Sequence, residues 1–135
     1  MTMPVYFQVM RFGTDFSAKQ TPITFDTVML NTGNAMDINS GIFTAPRKGT
    51  YTFAFAAVVN FSGSDGYMTL QVLVNGQVFN IGHAHGDQHD QTSVHTTLKL
   101  KAGDQVWTII SDADSVILRQ WMHFTGWQLQ EELTF

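Results

Sequence analysis

Gly49-Thr50-Tyr51-Thr52-Phe53-Ala54-Phe55 alternates small and large aromatic side chains at every step. In an extended chain, residues two apart share a face. Tyr51, Phe53 and Phe55 therefore form one aromatic face, and Thr50, Thr52 and Ala54 a small one. The stretch predicts a strand whose aromatic side is buried in a core.

Similar runs fill the rest of the chain. Short β-rich segments at 5–12, 23–30, 41–46, 50–59, 67–74, 77–82, 93–100, 105–110, 115–122 and 123–130 are separated by Gly, Asn, Asp or Pro, and helical periodicity is hard to find. Many short strands with turns between them predict an all-β antiparallel sandwich or barrel. Asn75-Gly76 lies between two apolar runs, the strongest short hairpin signal, because both central residues of a type I′ turn need positive φ. It predicts that Leu70 to Val74 pairs with Gln77 to Ile81. Ala102-Gly103-Asp104 divides 95–100 from 105–110 in the same manner. Ser62 to Gly66 is the most loop-like stretch and is expected to join two strands across an end of the molecule. With no linker, repeat or low-complexity tract, residues 1–135 are expected to form a single domain.

Composition narrows the function. The 135 residues are 44% hydrophobic but only 13% charged, about half the usual charged share, so polar uncharged residues must cover the surface. Such a surface suits contact with proteins or sugars. A net charge of -4 without any run of Lys and Arg removes the electrostatic attraction that dominates binding to phosphate backbones, so nucleic acid is excluded as a partner. No apolar stretch is long enough to span a bilayer and no basic amphipathic helix is present, so no membrane insertion is expected. The chain has no cysteine, which excludes disulfides, a thiol nucleophile and thiolate metal sites. The opening MTMPVYFQV has no charged region followed by an apolar one, so no signal peptide is visible; the expectation is an intracellular chain or a mature or excised domain.

Phe25, Asn31, Phe43, Gly49, Tyr51, Phe53 and Phe55 stand at the distances of a family signature: Phe, five residues, Asn or Asp, four residues, an aromatic or Leu, six residues, Phe, five residues, then Gly-x-Tyr-x-Phe-x-aromatic. The chain thus resembles the globular domain of the C1q and tumour-necrosis-factor superfamily, on its C1q side. One position departs from the pattern: Met36 replaces an aromatic or Leu, a swap between large apolar side chains that repacks cheaply. Tyr6 to Arg11 resembles the first strand of such domains, Ala102 to Trp107 their late hairpin and Phe124 to Trp127 their closing strand, so the likeness covers the whole chain.

The resemblance implies a ten-stranded jelly-roll sandwich that assembles as a homotrimer, is extracellular, and acts in recognition rather than catalysis. Phe25, Phe43, Tyr51, Phe53, Phe55 and Phe124 are expected in its core or along the seam between subunits. Neither a collagen-like stretch nor a heptad repeat accompanies them, so the globular interface alone is expected to hold the trimer. The ligand class implied is carbohydrate or another microbial surface pattern in innate immunity, with a fibre-tip knob or cytokine-like ligand for a protein receptor as the rival reading.

Gly82 to Asp90 holds three of the five histidines. If this stretch is extended, His83 and His85 share a face and could hold Zn²⁺, Cu²⁺ or Ni²⁺, with His89 or Asp87 closing the site. Two other readings stay open: a polar hairpin loop with solvated histidines, and a pH-sensitive interface. Asp112 and Asp114 offer hard oxygen ligands for Ca²⁺, which some relatives bind, or form an ordinary charged turn. Asn60-Phe61-Ser62 is a glycosylation sequon. Trp107 and Trp127 suit core or interface, whereas Trp121, close to Arg119 and His123, is expected to be exposed. The expected ligand surface is the loops at one end, with Ser64, Asp65, His85, Asp87 and Trp121 as contacts. No nucleophile elbow, zinc-protease helix or phosphate-binding loop is present, so no enzymatic activity is expected.

Overall fold

The alternation around Tyr51 continues through a strand of 13 residues, Gly49–Phe61, labelled β5. The computed structural model describes residues 4–61, 66–86, 89–113, 116–118 and 122–131. The other strands are β1 (Tyr6–Arg11), β2 (Thr27–Thr32), β3 (Met36–Asp37), β4 (Ile42–Thr44), β6 (Gly66–Val74), β7 (Gln77–Gly86), β8 (His89–Leu100), β9 (Gln105–Ala113), β10 (Val116–Leu118) and β11 (Met122–Glu131).

All ladders are antiparallel and form two sheets. One runs β3-β4-β9-β6-β7. In the other, β5 is flanked by β8 on one side and by β10 and β11 on the opposite side, with β1 and then β2 following β11. Because β10 and β11 lie one after the other along the same edge of β5, the eleven segments fill ten strand positions. This is the all-β jelly roll that the resemblance implies.

The core between the sheets is aromatic. Phe7, Phe53, Phe55 and Phe124 project from one sheet and Phe43 from the other, with ring centroids 5.2 Å apart for Phe43–Phe53 and for Phe7–Phe124. Such tilted and edge-on pairs add to the burial of ring area. Tyr51, Phe53 and Phe55 are 0% exposed in the single chain. Of the two places expected for them they take the core, with no surface left to offer a second subunit. Tyr51 keeps its polar end satisfied by donating a hydrogen bond from its hydroxyl to the Arg47 carbonyl at 2.6 Å.

Three boundaries differ from the sequence expectation. Residues 23–26 are not strand: Ile23 and Phe25 donate their N–H groups to the carbonyls of Thr108 in β9 and of Ile38 just beyond β3, while Asp26 donates to Met10 of β1. The turn at Ala102-Gly103-Asp104 is not a hairpin: β8 pairs with β5, whereas β9 pairs with β4 and β6, so this turn carries the chain from one sheet to the other. The stretch 82–90, read as a loop, is mostly strand, since β7 continues to Gly86 and β8 begins at His89. Buried Gly82 and Ala84 hold its inner side against the core. The Asn75-Gly76 hairpin has the expected geometry, with φ of 51° and 88° and Val74 facing Gln77.

Candidate recognition surfaces

Alternation along β7 turns Gly82 and Ala84 inward and leaves His83 and His85 exposed. Across the ladder, His83 faces Thr69 and His85 faces Tyr67 of β6. The Nδ1 of His83 lies 3.3 Å from the Thr69 hydroxyl. On the other side, β8 ties down the edge of β7: the Thr92 hydroxyl donates to the His83 carbonyl at 3.2 Å, and the His85 N–H donates to the Asp90 carboxylate at 3.3 Å. The two histidines thus sit on a braced strand edge, not in a loop.

Of the other residues expected at this end, Ser64, Asp65, Asp87, Asp114 and Trp121 lie outside the described residues, as do the side chains of His89, Asp112 and Asn60. The backbone register nevertheless brings distant residues into one row, because Thr69 faces His83 on one side and Asp112 of β9 on the other. Among the described residues, no group of three or more His, Asp or Glu is close enough to hold a metal ion.

A second surface lies apart from the expected ligand loops. Two hollows open on the sheet that holds β5. One hollow of about 400 Å³ is lined by Tyr6, Gln8, Leu30, Thr125, Gly126 and Trp127. Another of about 430 Å³ is bordered by Ala56, Val58, Gln91, Ser93 and His123. No local pattern marked them, because each hollow joins strands distant in sequence.

Residues 6–129 match the C1q domain profile. The chain belongs to the C1q domain family. The C1q domain here is 33% identical over 94 residues to human Complement C1q tumor necrosis factor-related protein 3; the matched region covers 70% of this chain and the chain spans only 38% of that relative. Among solved structures, the globular domain of zebrafish complement 1qA superposes with a TM-score of 0.80 at 19% identity, covering 95% of this chain and 99% of the other. The Eiger TNF of S. frugiperda superposes with a TM-score of 0.76 at 12% identity, covering 98% and 97%. Likeness at such low identity establishes the shared fold. Among the described residues, the C1q domain has no helix long and apolar enough to cross a membrane.

Proposed function

We propose that this C1q domain is a secreted homotrimeric recognition module that binds repeated surface ligands multivalently, with carbohydrate or other microbial surface patterns as the ligand class. The observation that carries the reading is the outward side of the sheet containing β1, β2 and β11. Tyr6 is 37% exposed, Leu30 49% and Trp127 38%, and together they border one apolar hollow. Large apolar side chains grouped on a soluble domain mark an interaction face. A second exposed group, Val78, Phe79 and Ile81, lies on β7 of the other sheet. Two unlike apolar patches on one chain suit a head-to-tail contact, which closes into a ring when the rotation allows.

A trimer would present its end loops three times on one rigid body. Weak identical sites gain about a hundredfold or more in avidity when a target repeats at matching spacing. The proposed contacts lie around Ser62 to Gly66, His83 to Asp90 and Ser111 to Ser115, with Ser64, Asp65, His85, Asp87 and Trp121 as the residues to test. Sedimentation mass, combined with a glycan array, tests both halves. A trimer mass with sugar signals that weaken in a monomeric variant supports the reading. A monomer at micromolar concentration overturns the assembly, and a silent array beside a specific protein partner replaces sugar with a receptor.

A further inference from the structure

We propose that His83 and His85 form a two-imidazole site for a late first-row divalent metal, Zn²⁺, Ni²⁺ or Cu²⁺, on the outward side of β7. The inference does not depend on the trimer or on the sugar reading. It rests on three features of this strand.

First, β7 is extended through both histidines, with Ala84 between them buried. Their Cα atoms are therefore about 6.6 Å apart along one face. Two imidazoles leaning toward each other across that span can place ring nitrogens on a common ion at about 2.0–2.1 Å. Second, Thr69 stands at the Nδ1 side of His83 at 3.3 Å. Metal-bound histidines characteristically donate their other N–H to an oxygen, which fixes the tautomer and the ring. With Nδ1–H given to the Thr69 hydroxyl, the Nε2 lone pair of His83 is left to take an ion. Third, the surroundings favour a cation: β6, β7 and β9 carry no Lys or Arg, and the Asp90 carboxylate is held against the His85 backbone at 3.3 Å.

Imidazole donors select borderline metals over calcium and magnesium. Two protein ligands leave the remaining coordination positions to water or to a donor on a bound molecule, so the site is open rather than structural. Thr69 acts here as a positioning residue.

Isothermal titration of ZnCl₂ and NiCl₂ into the untagged full chain tests the site, with electron paramagnetic resonance of the Cu²⁺ form counting nitrogen ligands. The expected result is one ion per chain and two imidazole nitrogens. His83→Ala and His85→Ala, both exposed positions whose folding circular dichroism verifies, each weaken binding by well over tenfold, whereas His95→Ala leaves it unchanged. Thr69→Val weakens binding by roughly tenfold and Thr69→Ser restores it. No binding to the wild type, binding that survives in the double alanine variant, or a nitrogen count other than two overturns the proposal. Wild-type affinity in Thr69→Val overturns the positioning role.

Discussion

The side-chain amide of Asn31 closes on the main chain of Met36 from both sides: Nδ2 donates to the Met36 carbonyl at 2.8 Å and Oδ1 accepts the Met36 N–H at 3.3 Å. The turn between them holds Gly33 and Asn34 at φ of 93° and 54°. The amide thereby links the end of β2 to the start of β3, and so joins the edges of the two sheets. An amide at the signature position satisfies one donor and one acceptor that the tight turn leaves unpaired. Asn31→Ala removes both bonds and is expected to cost about 2 kcal/mol, at roughly 1 kcal/mol each. Urea denaturation should give a lower midpoint with an unchanged slope; an unaltered midpoint refutes the role.

Gly126 of β11 faces Phe53 on one neighbour and Phe7 on the other. A Cβ added there would lie 2.5 Å from a Phe7 ring carbon and 2.7 Å from one of Phe53, and both rings are locked in the core. Gly126→Ala is expected to destabilise by about 3 kcal/mol through overpacking. Gly76→Ala meets no atom within 4 Å but must hold φ at +88°, a strain of about 1–2 kcal/mol. Thermal unfolding of the two variants should rank them in that order.

Thr108 is fully buried, and its hydroxyl has no hydrogen-bond partner among the described residues. An unpaired buried hydroxyl carries a desolvation cost that an isosteric methyl does not. Thr108→Val is expected to stabilise the domain by about 1 kcal/mol. A lower melting temperature would point to a partner for the hydroxyl.

Hydrogen bonds from the backbone N–H of Phe12, and then from Gly13 and the Thr27 hydroxyl, hold the Asp26 carboxyl below its ordinary value of 3.8, with Arg11 nearby. The Lys101 N–H and the Asn75 amide do the same for Asp104. A carboxyl with a lower pKa folded than unfolded contributes stability that is present above the unfolded value and is lost as pH falls through the folded one. Wild-type stability should therefore decline on acidification below pH 3.8. The double variant Asp26→Asn/Asp104→Asn should start lower at neutral pH and show a flatter profile. Parallel profiles for the two proteins would refute the assignment.

Trp127→Glu places a charge in the proposed interface while leaving the core untouched. Sedimentation should report a folded monomer with a wild-type circular dichroism spectrum. A trimer that persists would move the interface elsewhere.

The aromatic alternation, the Asn-Gly hairpin and the spacing from Phe25 to Phe55 were all legible in the chain, because strand period and turn stereochemistry are local properties. The switch of sheets at Gly103 was not, since the same Ala-Gly-Asp turn can join partners or strangers, and only the pairing of β8 with β5 decides between them. His83 and His85 were visible as a pair, yet their place on a strand depended on Ala84 finding the core and Thr92 reaching the His83 carbonyl.

The sequence by itself therefore determined the class of fold, the family and the face on which each aromatic lies, since these follow from side-chain period and fixed spacing. Tertiary structure alone decided that Tyr51, Phe53 and Phe55 are sealed inside one chain, that Tyr6, Leu30 and Trp127 gather around a hollow, and that Thr69 stands beside His83. Each of these facts joins strands distant in sequence, and such contacts are set by long-range pairing and packing, not by local pattern.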